Sequence, residues 1–385
     1  MRVSKVSQTK TIFVIAGEAS SLVNFRLPLL QRFRSLGYEV HVGAPNLSED
    51  DETVHVLRKN DISIHNVPFE RAGMNPISDL RAARILYEIM HATNFDIVLS
   101  YTVKPVIWGT LAATLAKVPR RIALIPGLGY AFTGEARGRR RLVRGILHTL
   151  YRKALSHTDH VFFQNPDDAT LFSKLGLIKP GASVSVVNGS GVDLERFPPF
   201  PLSRTTGSIR FLLIARMLGD KGIREFVTAA RQIKATHPEV QFDLVGGTDA
   251  NPDSFSRETL ENWVAENSVT WHGPQRDVRS YLADCHIYVL PSYREGTPRS
   301  VLEAMATGRA IITTDAPGCR ETVICGANGY LVPPRDAEAL EIAMRRFLDT
   351  PDLITAMGGE SLRIAREKFD VLKVNEQMLK DIGLV

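Results

Sequence analysis

The stretch PSYREGTPRSVLEAMATG, residues 291–308, follows an apolar run typical of a buried strand and leads into apolar residues at helical spacing. Its two carboxylates, Glu295 and Glu303, flank a Gly, a Pro and an Arg. Pro298 suits the first turn of a helix and Gly308 its C-terminal end. Strand, loop and helix in this order form the unit of a parallel sheet, which binds ligands beyond the carboxyl ends of its strands. The stretch therefore predicts both a fold class and a ligand site.

The same unit recurs along both halves of the chain. Short apolar, β-branched runs that predict strands are TIFVIAG, YEVHVGAP, DIVLSYT, RIALIPG, HVFFQNP and SVSVVNG, then IRFLLIAR, VQFDLVGG, VTWHG, IYVLPS, AIITTD and GYLVPP. Helical repeats lie between many of them, and this alternation predicts α/β domains with parallel, doubly wound sheets. The Gly-, Pro- and Ser-rich residues 188–208 read as a linker between two domains.

Length and composition support two soluble domains. A chain of 385 residues is too long to fold around one ordinary hydrophobic core. Its content of 44% hydrophobic and 23% charged residues is typical of globular proteins. Three cysteines without CxxC spacing predict a reducing compartment with no disulfide framework. No apolar run has the length of a signal peptide or a membrane span, so we expect a cytoplasmic chain.

Positive charge is concentrated at residues 136–157, where seven Arg or Lys occur without an acidic residue. Such a block can contact phosphates, nucleic acid or an anionic membrane. On a helix, arginines would occupy one side and apolar residues the other, and an amphipathic helix of this kind lies on anionic leaflets. The apolar side would carry Leu142, Ile146, Leu147, Leu150 and Tyr151. A solvated helix face is the alternative.

The residues around the opening stretch suit a ligand with hydroxyl and anionic groups. Glu295, on the loop, can reach a ligand that lies across the helix start, and Glu303 can accept hydrogen bonds from a diol. Free backbone N–H groups near 297–300 would form an anion or hydroxyl site. The alternative is two solvated glutamates.

A second constellation is ARMLGDKGIREF, in which Arg216 and Lys221 follow a strand and precede a helix. A forked cation and a point cation so placed can hold a diphosphate and stabilise it as a leaving group. The alternative is a pair of surface charges.

Glycines stand at several strand ends and would let a ligand approach the backbone. They are Gly17, Gly127, Gly129, Gly246 and Gly273. Simple turn formation is the alternative. The chain has no HExxH, GxSxG or P-loop motif, and we expect no metal site.

Taken together and in this order, these motifs resemble the family 4 retaining glycosyltransferases. The resemblance spans nearly the whole chain, from NFRLPLLQRFRSLGYEVHVGAP through NGSGVDLERF and ARMLGDKG to the Glu295–Glu303 element, GANGYLVPPRD and the tail. It implies the GT-B fold, with two facing Rossmann-like domains, parallel sheets and an interdomain cleft. It also implies an acceptor-binding domain at 1–195, to which a tail helix at 366–385 crosses back, and a nucleotide-sugar donor-binding domain at 196–365.

The resemblance implies roles for individual residues. Glu295 would lie near the donor sugar, while Arg216 and Lys221 would bind the diphosphate and assist its departure. Glu303 would bind the ribose. Further donor contacts would come from Gly17, Gly127, Gly129, Gly246, Gly273, Arg276, Gly296, Thr297, Pro298, Arg299 and Ser300. Many family members have a His in the first domain, but the matching strand end here, IPGLGYAFTG, has none. Front-face attack, in which the departing phosphate takes the proton, needs no dedicated base.

Within the family, YTVKPVIWG, IPGLGYAF and QNPDD are most similar to α-1,3-N-acetylgalactosaminyltransferases that extend undecaprenyl-diphosphate-linked sugars. The similarity implies a UDP-N-acetylhexosamine donor, no metal cofactor, and a polyprenyl-diphosphate-linked sugar acceptor in bacterial surface glycan or glycoprotein glycan assembly. It also implies peripheral contact with the inner face of the cytoplasmic membrane through 136–157, and no nucleic acid partner. Alternatives are a nucleotide-sugar epimerase or hydrolase and a non-catalytic sugar-binding protein.

Overall fold

The computed structural model describes residues 9–47, 52–70, 75–128, 139–202 and 208–385. The chain forms two compact units, the first made of 1–187 and 375–385 and the second of 188–374. Both boundaries differ from the predicted 1–195, 196–365 and 366–385. The reason is a backbone contact within the second unit, where Val192 N donates to Phe369 O at 2.7 Å and Val371 N donates to Val192 O at 3.0 Å.

The first unit contains a seven-stranded parallel sheet. Its strands are β1 (Thr11–Ile15), β2 (Glu39–Ala44), β3 (Ser63–Asn66), β4 (Ile97–Tyr101), β5 (Arg120–Ile125), β6 (His160–Phe163) and β7 (Val184–Val186), in the order β3-β2-β1-β4-β5-β6-β7. Its helices are α1 (Leu27–Ser35), α2 (Glu52–Lys59), α3 (Pro76–Thr93), α4 (Thr110–Leu115), α5 (Arg139–Leu155) and α6 (Pro166–Lys174). Single π-helical turns, Leu22–Arg26 and Pro105–Gly109, precede α1 and α4.

The second unit contains a six-stranded parallel sheet. Its strands are β8 (Arg210–Ile214), β9 (Gln241–Val245), β10 (Thr270–Trp271), β11 (Ile287–Leu290), β12 (Ala310–Thr314) and β13 (Gly329–Val332), in the order β10-β9-β8-β11-β12-β13. Its helices are α7 (Ile223–Lys234), α8 (Arg257–Ala265), α9 (Arg279–Asp284), α10 (Arg299–Ala306), α11 (Ala337–Asp349) and α12 (Asp352–Ile364). Helix α13 (Val371–Asp381) begins in this unit and belongs to the first unit from Asn375 onward. The last helix ends among residues of the first unit, where Met378, Leu379 and Ile382 join the core.

Both sheets confirm the predicted parallel, doubly wound class. Their central strands are buried along their whole length, as expected where helices cover both faces of a parallel sheet. Strand order reverses beside β1, which pairs with β2 and β4, and beside β8, which pairs with β9 and β11. Crevices at such reversals are where open α/β sheets bind ligands.

The interpretation of 188–208 as a linker was wrong for its first part. Val192 and Phe197 are buried in the core of the second unit. Farther along, the Phe200 N–H donates to Thr307 O at 3.3 Å, and its carbonyl accepts from Arg309 Nη2 at 3.2 Å. Gly and Pro suggested a flexible connection, whereas the apolar residues between them anchor the segment.

Candidate active site

The reversal of strand order in the second sheet brings together two of the three predicted catalytic residues. Lys221 ends a single 3₁₀ turn, Gly219–Lys221, after β8, and Glu295 lies on the loop after β11. Lys221 Nζ is 2.6 Å from Glu295 Oε1, and the two side chains are only 14% and 17% exposed. The two residues therefore form a largely buried ion pair at the carboxyl ends of neighbouring strands.

Lys221 keeps its positive charge in this environment. Burial lowers its pKa, but the negative charge of Glu295 and the hydrogen bond to it oppose this effect, and the pKa of Lys221 is raised above its ordinary value. A cation held in a poorly solvated place attracts an anion more strongly than one in open water. The Lys221 ammonium is thus a fixed cation at this strand end, paired with one carboxylate.

Two glycines allow the Glu295 loop to approach its neighbours. Gly222 has φ +71°, and a Cβ at this position would overlap the carbonyl oxygen of Pro291. Gly318 has φ +83°, and a Cβ there would overlap the carbonyl oxygen of Glu295. The loop is also held by the Glu295 N–H, which donates to Pro317 O at 2.9 Å. A side chain at either glycine would force the backbone at these contacts to shift.

Arg216, the third predicted catalytic residue, is held by a different partner. Its Nη1 donates to Asp249 Oδ2 at 2.8 Å, and its side chain is half-exposed. Asp249 lies on the loop after β9, and Asp253 of this loop accepts from the Asp220 N–H at 2.9 Å. The loop therefore supports both Arg216 and the turn that carries Lys221. Sequence reasoning missed it, although its Asp, Asn and Ser residues are typical of side chains that hydrogen-bond a turn.

Glu303 lies one turn inside α10 and is largely buried. Arg299 Nε donates to its Oε1 at 2.9 Å. Burial raises the pKa of Glu303, while Arg299 and Arg196 lower it less, so its pKa is above the ordinary value. Two residues predicted to bind the nucleotide are thus bonded to each other. Pro298 occupies the N-cap position of α10 rather than the predicted first turn, because its ψ of 109° is extended.

The residues before α10 pack closely on the start of the second unit. Gly189 has φ +68°, and a Cβ there would lie 2.8 Å from Thr297 Cβ. Gly296 and Thr297 complete the loop between Glu295 and α10, and Ser300 lies in the first turn of that helix. The sequence signal for Gly189 was available in NGSG but was assigned to a linker.

The other predicted glycines differ in their surroundings. At Gly246, with φ +144°, a Cβ would overlap the Ala215 carbonyl oxygen, so the packing of the backbone requires glycine at this position. At Gly273, with φ +68°, a Cβ would meet nothing within 4 Å, and the exposed Arg276 follows three residues later. Gly127 follows β5, and Gly129 lies outside the described residues.

The reversal in the first sheet has a different lining. Gly17 follows β1, and a Cβ there would lie 2.5 Å from Thr102 Oγ1. The buried Tyr101 hydroxyl is 2.7 Å from Ser21 Oγ, and the Arg26 guanidinium lies 5.3 Å from the centre of the Tyr101 ring. Burial raises the pKa of Tyr101 to about 12, so the phenol stays neutral. Sequence reasoning missed Ser21, Arg26 and Tyr101.

The described part of the chain contains neither a group of metal-ligating side chains nor a helix that could span a membrane. Within it, no three His, Cys, Asp or Glu side chains are grouped so as to hold a metal ion. No helix there combines the length and apolar character needed to cross a membrane.

Comparison with known proteins identifies related families and folds. Residues 208–350 match the family model described as glycosyl transferases group 1, and 13–165 match glycosyl transferase 4-like. The N,N'-diacetylbacillosaminyl-diphospho-undecaprenol α-1,3-N-acetylgalactosaminyltransferase of Campylobacter jejuni is 31% identical over 345 residues, 87% of this chain and 88% of the relative.

Solved structures resemble the fold over nearly the full chain. Sucrose-phosphate synthase from Thermosynechococcus elongatus has a TM-score of 0.78 at 20% identity, covering 97% of this chain and 98% of its own. Anabaena HepE in complex with UDP and glucose has a TM-score of 0.75 at 17% identity, with 98% and 100% covered. These similarities and the two parallel sheets confirm the predicted GT-B fold class.

Proposed function

The chain belongs to the glycosyltransferases of group 1 and the 4-like family, and from this premise we propose that it is a retaining enzyme. It transfers a sugar, in our proposal an N-acetylhexosamine, from a UDP-sugar to a sugar carried on polyprenyl diphosphate. The observation that carries the proposal is the buried Lys221–Glu295 ion pair, which lies where the strand order of the second sheet reverses.

The ion pair and Arg216 suit the departure of a nucleoside diphosphate. As the bond between the anomeric carbon and the phosphate oxygen breaks, negative charge grows on the diphosphate, and a fixed cation stabilises it. Lys221 supplies this charge from a largely buried position. Arg216 can exchange its exposed contact with Asp249 for the phosphate oxygens, to which a guanidinium binds in a forked geometry.

Glu295 and Glu303 suit the two ends of the donor. Glu295 is fixed beside the leaving-group cation, where its carboxylate oxygens can accept further hydrogen bonds from sugar hydroxyls. Glu303 is a buried carboxylate beside the helix start, the kind of acceptor that binds a ribose diol. Since Lys221 and Arg216 provide the positive charge, the proposed reaction requires no metal ion.

Retention follows from attack on the front face of the donor sugar. The acceptor hydroxyl forms its bond to the anomeric carbon on the side from which UDP leaves, and the departing phosphate oxygen takes the hydroxyl proton. No protein base is required, in keeping with the absence of His from IPGLGYAFTG. The α-1,3 linkage in the name of the Campylobacter relative also supports this stereochemistry.

The acceptor proposal draws on that relative and on α5. The name of the relative specifies an undecaprenol-linked acceptor sugar. On α5, Leu142 and Ile146 are 69% and 51% exposed. The predicted apolar side is only partly free, because Leu147, Leu150 and Tyr151 pack into the core of the first unit. We propose that the remaining exposed residues and arginines rest on the anionic inner face of the cytoplasmic membrane.

Vesicle binding tests the membrane contact. Changing Arg139, Arg140, Arg141 and Arg144 to Gln should weaken binding to phosphatidylglycerol vesicles by about 1 kcal/mol for each charge near the surface. The control is Arg84→Gln, since Arg84 is an exposed arginine on α3. Equal binding of the variant and the wild type in a flotation assay would remove the membrane contact from the proposal.

A donor screen tests the reaction itself. The purified chain is incubated with UDP-, GDP- and ADP-sugars and a short polyprenyl-diphosphate sugar, and nucleoside diphosphate release is followed with and without acceptor. We expect acceptor-dependent UDP release from UDP-GalNAc or UDP-GlcNAc, with an α-linkage in the product by NMR. Release without acceptor would instead indicate a hydrolase or epimerase, and a β-linkage would contradict retention.

A further inference from the structure

A second side-chain contact joins the two segments that carry Lys221 and Glu295. The Tyr293 hydroxyl donates to Glu225 Oε1 at 2.6 Å. Glu225 lies in the first turn of α7, one helical turn after Lys221, and Tyr293 lies two residues before Glu295. The Tyr293–Glu225 hydrogen bond therefore joins the Glu295 loop to the start of α7, directly after the turn that carries Lys221. Neither Tyr293 nor Glu225 was among the predicted site residues.

Hydrogen bonds to the backbone also join these two segments. The Tyr293 N–H donates to the Asp220 carbonyl at 2.9 Å, and Ser292 Oγ donates to the same oxygen at 3.1 Å. On the other side, Thr314 Oγ1 donates to the Ser292 carbonyl. The loop is thus fixed along its backbone, and the phenol extends this attachment to α7.

The surroundings of the pair make its hydrogen bond hard to replace. The Arg335 guanidinium carbon lies 4.7 Å from the centre of the Tyr293 ring and covers it. Arg335 has φ +65°, an unusual value for a residue with a side chain. The second Glu225 oxygen, Oε2, is buried and has no hydrogen-bond partner among the described residues. Without the phenol, the carboxylate would lose a donor in a place where solvent replaces it poorly.

We propose that Glu225 and Tyr293 are positioning residues, which hold Glu295 and Lys221 in the geometry that transfer requires. This inference rests on the proposed function, because it assigns the pair a role in the same reaction. A misplacement of about 1 Å at reacting groups can cost roughly 100-fold in rate, so a loosened loop should lower kcat. Neither residue needs to contact the donor, so the KM for the donor should change little.

The first experiment measures the kinetics of Tyr293→Phe in acceptor-dependent transfer. We expect kcat to fall about tenfold, part of the range for misplaced groups, with a donor KM within about twofold of the wild type. Tyr330→Phe is the matched control, because Arg346 covers the Tyr330 ring at 4.8 Å in the same unit. This control should retain the wild-type kcat.

Changes at Glu225 separate positioning from general stability. Glu225→Ala should lower kcat as much as Tyr293→Phe, whereas Glu225→Gln should restore most of it, because the amide oxygen still accepts from the phenol. The double variant Tyr293→Phe/Glu225→Ala should be no slower than either single variant, since both remove the same contact. Melting temperatures are measured for every variant.

The outcomes distinguish the inference from the proposed function. An active wild type with an undiminished kcat in Tyr293→Phe would overturn the positioning role and leave the proposed function standing. Loss in Glu225→Gln equal to that in Glu225→Ala, or losses that follow melting temperature in all variants including Tyr330→Phe, would also overturn it. A wild type that transfers no sugar from any donor would overturn both.

Discussion

The two reversals of strand order share a topology and differ in chemistry. In the second unit, the ends of β8 and β11 carry the buried Lys221–Glu295 ion pair. In the first unit, the ends of β1 and β4 carry Gly17 and the neutral Tyr101 hydroxyl, bonded to Ser21. Because the sheets position both sets of residues alike, the side chains at the strand ends decide which ligand chemistry each unit suits. One is built around a buried lysine–glutamate ion pair, the other around hydroxyl and aromatic groups, with the Arg26 guanidinium over the Tyr101 ring.

The two reversals also differ in backbone strain. Gly222 and Thr102 both have φ +71°, a region that glycine enters freely and a β-branched residue does not. Such strain costs on the order of 1–3 kcal/mol and is found most often at functional sites. In the second unit, a glycine adopts the positive φ and no strain arises. In the first unit, a threonine adopts it, and its hydroxyl lies against Gly17.

The largest effect should come from the reversal in the second unit. Lys221→Ala and Arg216→Ala should each lower kcat by about 100-fold or more, the loss expected on removal of one group that stabilises the transition state. Glu295→Ala should abolish transfer with nucleotide binding largely retained in calorimetry. Lys234→Ala is the control, because Lys234 lies on α7 and bonds Asn267 at 2.8 Å. Unchanged rates in both cation variants would show that the charge of this unit is not catalytic.

A smaller effect should come from the reversal in the first unit. Gly17→Ala places a Cβ 2.5 Å from Thr102 Oγ1, and such overpacking costs about 1–3 kcal/mol in the free energy of unfolding. Gly17→Ala/Thr102→Gly should recover part of this loss, since it removes both the hydroxyl and the strain. Gly359→Ala is the control, because a Cβ there meets nothing within 4 Å. Urea denaturation gives the values, and equal losses in the single and double variants would contradict the proposed clash.

The smallest effect should be the pH dependence due to Glu303. Its pKa is raised on folding, so the stability it contributes is complete below the unfolded pKa of about 4.3 and is lost as pH rises through the folded value. Wild type should therefore lose stability relative to Glu303→Gln as pH increases from about 4 towards neutrality. Thermal unfolding of both proteins across this range measures the difference. A stability difference that does not change with pH would mean that Arg299 fully offsets the effect of burial on the pKa of Glu303.

Most strands could be predicted because each is a continuous apolar run, the pattern of a strand that is buried on both faces. This pattern can be recognised from neighbouring residues alone. The edge strand β3, with sequence SIHN, has no such run and was missed. The segment at 188–208 was misread because Gly and Pro describe local backbone preferences, while the burial of Val192 and Phe197 depends on distant partners.

For the candidate site, the sequence alone determined which residue types stand at the strand ends: a lysine and an arginine after β8, and a glutamate after β11. These positions follow from local strand and helix patterns. Only the tertiary structure decided that Lys221 pairs with Glu295, 74 residues away, that Arg216 is held by Asp249, and that Tyr293 reaches Glu225. The physical reason is that these contacts depend on β8 lying beside β9 and β11, a strand order set by the packing of the whole sheet rather than by any short stretch.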